Sequence, residues 1–239
     1  MISDETLKVL ATKLQTTELN LRREYFQHLF LSYFYQQQGT DHIFFKGGTA
    51  LRILYNSPRF SEDLDFSSNL NDIAVIEEAI LGTLSAIARE NIHVDLIEST
   101  RTSGGYLAIV TFQAAPEAVT IQLEVSLRKG KNRGEAMMIA SSLIPAFLVI
   151  ALDREQLVDE KIHALLSRKK ARDFYDLYFI LRSNLLPPER RDVLARALTT
   201  LKETKIDFEK ELKEFLPRSH WPLIRDFTRS LEGEIKRFL

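Results

Sequence analysis

The 239-residue sequence contains no cysteine, and that absence removes several chemistries together. Disulfide scaffolds, thiolate zinc sites and cysteine nucleophiles are excluded, and the chain is compatible with a reducing compartment. Glycine and proline are sparse, at 9 and 7 residues, which excludes collagenous and low-complexity architectures. Neither sign of charge dominates: 32 Lys and Arg stand against 33 Asp and Glu, so the chain is not a uniformly basic nucleic-acid coat. A long hydrophobic run is also missing. The most apolar stretch, residues 143–152, is interrupted by Pro145 and is too short to cross a bilayer. The first residues, MISDETLKVL, are acidic and lack the apolar segment of a signal peptide. The expectation is a cytoplasmic protein with no membrane partner.

What is present is a foldable amount of apolar residue, 45% of the chain. Ser3 or Asp4 can cap a first helix through Leu7, Leu10 and Leu14, and residues 19–38 form a longer helical pattern ending at Gly39. The period then changes. Residues 42–45, 62–66, 92–97, 106–112, 119–127 and 147–151 read as strands, with a short helix after Gly48 and a longer one over residues 71–89. Beyond Asp153 the pattern is helical, broken at Pro187-Pro188 and again at Pro217 and Pro222. Charge divides the chain similarly. Residues 1–150 carry 13 basic and 17 acidic residues, and residues 151–239 carry 19 and 16. Two domains are expected, a mixed core over 1–152 with two N-terminal helices and a helical lobe over 153–239.

The densest chemistry lies in Lys46-Gly47-Gly48-Thr49 and in Asp63-Leu64-Asp65. In a strand, side chains alternate between faces, so Asp63 and Asp65 point one way with Leu64 behind them. Two close carboxylates repel unless a cation lies between them, and Mg²⁺ accepts one or two carboxylates together with substrate phosphates. The glycine pair follows an apolar strand and opens a helix, where backbone N–H groups can face an anion. A tight strand-to-helix turn would use the same glycines, and Thr49 can either meet a phosphate or cap the helix. Glu124 offers a third carboxylate in a strand of otherwise alternating residues, suited to metal-assisted transfer at phosphorus. No Ser–His–acid pattern, Gly-Lys-Ser/Thr phosphate loop or metal-type histidine spacing accompanies these residues.

The string KGGTALRILYNSPRFSEDLDF closely resembles the first motif of the AbiEii-like nucleotidyltransferases, a branch of the DNA polymerase β-like superfamily. Leu123-Glu124-Val125 is similar to the superfamily's third carboxylate strand. Further along, the segment from Leu157 through Lys161 to Arg168, followed by Ala171-Arg172-Asp173-Phe174-Tyr175-Asp176, is similar to the family's downstream Lys and Asp motifs.

The resemblance implies an α+β fold, a polymerase β-like core of mixed sheet and flanking helices followed by a C-terminal helical bundle. It also implies NTP as substrate and Mg²⁺ as cofactor, with Asp63, Asp65 and Glu124 as metal ligands. Lys46, Gly47, Gly48, Thr49 and Lys161 would bind the nucleotide phosphates, and Asp173 or Asp176 would contact base or sugar. Asp63, Asp65 and Lys161 would be catalytic. Family members act as toxins of toxin–antitoxin and phage-defence systems, some by adding nucleotides to a tRNA 3′ end. A tRNA acceptor and a nearby encoded antitoxin are therefore the expected partners. Transfer to a protein hydroxyl and a non-catalytic nucleotide-binding module are the alternatives.

On the helical pattern, Lys161, Leu165 and Arg168 share one face, and Arg172 can pair with Asp176 one turn on. Two basic clusters remain, Arg128, Lys129, Lys131 and Arg133 after the Glu124 strand, and Arg168, Lys169, Lys170 and Arg172 between the helical motifs. Each can serve RNA or triphosphate binding, or simply be a solvated loop.

Overall fold

A computed structural model describes residues 2–70, 72–113, 117–127 and 131–239. Arg128 and Lys129 of the first basic cluster lie outside the described residues. The chain divides into two compact units, Met1–Asn56 with Phe60–Asp153, and Ser57–Arg59 with Arg154–Leu239. Three residues of the spacer between the glycine pair and Asp63 thus belong to the second unit.

The first unit opens with α1 (Asp4–Leu14), whose first turn is capped by the Ser3 hydroxyl accepting from the Thr6 N–H. Thr17 caps α2 (Glu18–Phe34) in the same way through Asn20. The expected helix to residue 38 stops earlier: Gln36 and Gln37 donate to the carbonyls of Tyr33 and Phe34, three residues back, and the Tyr35 hydroxyl lies 2.9 Å from the carbonyls of Ile43 and Ile150. Next come β1 (Ile43–Lys46), α3 (Gly47–Tyr55), β2 (Leu64–Ser68) and α4 (Ile73–Ala88). The remainder of the unit is β-structure, β3 (Val94–Thr102), β4 (Gly105–Phe112), β5 (Val119–Ser126), β6 (Gly134–Ile139) and β7 (Phe147–Leu152).

These strands form one mixed sheet in the order β3-β4-β5-β2-β1-β7-β6. β1 runs antiparallel to β2 and parallel to β7, and β2 runs parallel to β5. The expected alternation is clean in β5, where Val119, Ile121, Leu123 and Val125 are buried and Thr120 and Glu124 are exposed. α2 supplies much of the facing apolar surface: Phe26 stacks on Phe112 at 4.6 Å, and Phe34 packs 5.2 Å from Phe66. Edge strand β6 was not expected from its composition. Gly134 begins it because a Cβ there would come within 2.5 Å of the Phe44 ring.

The second unit is helical, with α5 (Arg154–Arg168), α6 (Ala171–Arg182), α7 (Leu194–Glu203), α8 (Phe208–Leu212), α9 (Trp221–Arg225) and α10 (Phe227–Phe238). Its core gathers Phe174 and Tyr175 of α6 with Phe208 and Phe227, whose rings lie 4.8 Å apart. Each such ring contributes about 1.5–3 kcal/mol by leaving water. Pro222 sits in the first turn of α9, where its missing N–H costs nothing, so it starts a helix rather than breaking one. Among the described residues, no helix is long and apolar enough to cross a membrane.

Candidate active site

The glycine turn and the Asp-x-Asp strand lie side by side because β1 and β2 pair antiparallel, with Lys46 opposite Asp65. β1 ends at Lys46, and Gly47 starts α3 with φ +84°, a left-handed conformation that side chains resist. Space enforces the same choice. A Cβ on Gly47 would sit 2.0 Å from Oδ2 of Asp65, so the carboxylate presses directly on the glycine. Gly48 is buried in the first turn, and Lys46 is the half-buried N-cap residue.

Thr49 is fully buried, and its hydroxyl donates to the carbonyl oxygen of Asp63. It neither caps the helix nor faces outward for a phosphate. Its visible work is to fasten α3 to the residue that opens the Asp-x-Asp motif. Asp63 lies just ahead of β2 and Asp65 within it, both half-buried. Glu124 is the partner of Asp65 across the parallel β2–β5 pair, so the two side chains share a face. Glu124 is exposed and accepts a hydrogen bond from the Gln122 amide.

The donor set is chemically suited to a hard divalent cation, being all carboxylate, with no histidine in β1, β2 or β5. Among the described residues, however, no three His, Asp or Glu side chains are gathered closely enough to enclose a metal.

The helical unit treats its two aspartates differently. Asp173 has a side chain 0% exposed, 2.7 Å from Nη2 of Arg168, and accepts the Lys170 backbone N–H at the start of α6. Asp176 accepts from Arg59 Nε at 2.9 Å, Arg59 Nη2 at 3.1 Å and Lys161 Nζ at 2.8 Å. Burial raises the Asp176 pKa, but the charges and hydrogen bonds of Arg59 and Lys161 outweigh it, and the carboxyl is held below its usual range. The expected Arg172–Asp176 pair is not made: Asp176 is occupied by residues distant in sequence, and the buried Nε of Arg172 has no hydrogen-bond partner.

Lys161 is buried with Asp176, while Arg168, Lys169 and Lys170 are exposed around the turn from α5 to α6. Lys131 is exposed, and Arg133 pairs with Asp153 at 3.1 Å. Sequence reading missed two groups, one buried and one half-buried. Arg59 lies in the spacer, read as length alone, and its flanking Ser57-Pro58 and Phe60-Ser61 give no signal of burial. Glu24 of α2 is the other; it holds Arg52 of α3 at 3.1 Å, and Arg52 lies over the Phe60 ring at 3.9 Å. This pair orients the helix that begins with Gly47.

The family model for the AbiEii nucleotidyl transferase toxin of type IV toxin–antitoxin systems matches residues 29–236. Two solved structures from Helicobacter pylori share the fold. The protein JHP933 is 20% identical with a TM-score of 0.63, covering 93% of each chain. A protein provisionally described as a nucleotidyltransferase is also 20% identical, with a TM-score of 0.64, covering 93% of this chain and 95% of its own. No curated protein matches the chain by sequence. With the glycine turn set against Asp65 and the family match spanning most of its length, the chain belongs to the AbiEii family of nucleotidyltransferase toxins.

Proposed function

We propose that the protein transfers a nucleoside monophosphate from an NTP to the 3′ acceptor hydroxyl of a tRNA, and that blocking this end underlies its toxicity. The observation that carries the reading is the close seating of Asp65 against Gly47 at the start of α3. It brings a carboxylate for a cation beside backbone N–H groups for phosphate, the two things a triphosphate needs. Asp63 and Asp65 would hold Mg²⁺, with Glu124 beside Asp65. When bound, the ion neutralises charge on the reacting phosphates.

The chain's own residues account for the rest. Gly47 and Gly48 present backbone N–H groups at the positive end of α3, and Lys46 adds a charge there. Thr49 keeps Asp63 fixed through its backbone, so the carboxylates need little rearrangement as the phosphate geometry changes. Arg168, Lys169, Lys170 and Arg172, with Lys131 and Arg133, supply charge for an RNA backbone, which makes binding strongly salt-dependent. We assign the transfer chemistry to the sheet unit. The type IV toxin–antitoxin context supports an antitoxin as a partner encoded nearby.

The test is label transfer from each α-labelled NTP, with Mg²⁺, in a mixture of total tRNA and cell protein. Label should enter tRNA and be lost in folded Asp63→Ala. Label on a protein band instead, or on neither, would overturn the acceptor assignment.

A further inference from the structure

Gln27 stands among apolar side chains of α2. Tyr25, Phe26, Leu29 and Phe30 around it belong to the core, and Gln27 is itself only 2% exposed. A buried amide without partners is costly. Gln27 meets the demand by donating from Nε2 to two carbonyls, those of Ser61 at 3.0 Å and Glu62 at 3.1 Å. Both partners can only accept, so the nitrogen end of the amide is the end that faces them. Its two hydrogens are thereby spent on consecutive residues of one segment.

That segment leads directly to Asp63. It lies ahead of the β2–β5 register, which begins at Leu64 opposite Leu123. Two helices hold it there: Gln27 of α2 takes the carbonyls of residues 61 and 62, and the Thr49 hydroxyl of α3 takes that of Asp63. All of these residues lie in the sheet unit. Peptide units are planar, so the Cα of Asp63 joins two rigid plates, one carrying the Glu62 carbonyl and the other the Asp63 carbonyl. Gln27 fixes the first plate and Thr49 the second. With both held, φ and ψ at Asp63 are set, and with them the direction in which its side chain leaves the backbone.

We propose that Gln27 is a positioning residue for nucleotidyl transfer, acting through the backbone of Asp63. It touches neither nucleotide nor acceptor, and its work is to aim the Asp63 carboxylate. This rests on the reading that Asp63 takes part in transfer, but not on the identity of the acceptor.

The experiment compares the unsubstituted full chain with Gln27→Met, which keeps the side-chain length and removes the amide. The control is Leu84→Ala, which loosens the core of the sheet unit at α4. Transfer is measured at steady state, with Mg²⁺ and each α-labelled NTP in turn, in the mixture of total tRNA and cell protein, so that any acceptor counts. Hydrogen exchange by mass spectrometry, without nucleotide, follows peptides over residues 60–66. Gln27→Met should lower kcat at least about 10-fold and move KM for NTP less than about 2-fold, because the glycine turn assigned to the phosphates is untouched. Exchange over residues 60–66 should quicken while β4 keeps its rate. Leu84→Ala should keep kcat within about 2-fold.

A loss carried by KM, a smaller fall in kcat, or unchanged exchange over residues 60–66 would overturn the proposal. So would an equal loss of kcat in Leu84→Ala, which would make the effect one of general loosening. Circular dichroism and thermal unfolding establish folding. If Gln27→Met does not fold, Gln27→Asn carries the test by the same criteria, since its amide is one methylene too short to span both carbonyls. Failure of both to fold makes Gln27 a residue of stability alone and overturns the proposal. Absence of transfer to any acceptor by the unsubstituted protein overturns the nucleotidyl transfer reading and this proposal with it, whereas full kcat in folded Gln27→Met overturns the proposal alone.

Discussion

In the sheet unit, Asp63, Asp65 and Glu124 lie half-buried or exposed around the turn that opens α3, whereas in the helical unit Asp173 and Asp176 are sealed among cations. The residue types are nearly the same, and the difference lies in what surrounds them. Asp65 presses on a glycine and shares a sheet face with Glu124. Asp176 is enclosed by Arg59 and Lys161, and a buried carboxylate so engaged can only lose by being disturbed. A buried acid and a half-buried one of the same type thus serve different ends, set by what encloses them.

The contrast is open to direct attack. The largest effect should come from Asp63→Ala, which is expected to reduce label transfer at least ~1000-fold, about 4 kcal/mol in the transition state, with little change in unfolding midpoint. Asp176→Ala should do the reverse in stability. Stranding Arg59 and Lys161 is expected to cost about 3–4 kcal/mol in urea unfolding, and a change below about 1 kcal/mol would dissolve the distinction between the units.

His28 extends the comparison to a buried base. Burial, then the nearby Arg52 charge, lowers its pKa to about 4 from 6.5. The unfolded chain therefore takes up this proton first as pH falls, so His28's contribution is intact above pH 6.5 and lost on the way to about 4. Glu24, whose pKa burial raises, titrates in the opposite sense. The readout is accordingly the difference between the unsubstituted protein and His28→Gln. That difference should change by up to about 3 kcal/mol across this window in chemical denaturation.

Gly47→Ala comes last. The strained φ and the collision with Asp65 should together cost about 2 kcal/mol of stability and displace the carboxylate, visible as reduced Mg²⁺-dependent transfer.

Local chemistry made part of this legible in the sequence. A glycine pair after an apolar strand, and a period of two around Leu64, correctly indicated the turn and its neighbouring strand. The clean alternation in β5 did the same. β6 escaped because Gly-Glu-Ala-Met-Met-Ile has one β-branched residue and owes its place to pairing with β7. The end of α2 escaped because residues 35–38 continue the helical pattern while their backbone tightens into turns that bond three residues back. Helical spacing offered Arg172 as the partner of Asp176, and it could not reveal Arg59, 117 residues away in sequence. Thr49 illustrates the same limit, since its hydroxyl serves a carbonyl that only the folded chain brings near.

The placement of Ser57–Arg59 with the helical unit also bears on how the protein can be divided. A fragment ending at Asp153 would retain the glycine turn and all three sheet carboxylates, yet its Arg59 would have lost the carboxylate that grips it. The complementary fragment would keep Asp176 and Lys161 with one of the two cations gone. A cut at Asp153 therefore leaves Arg59 and Asp176 on different pieces, although both belong to the same compact unit.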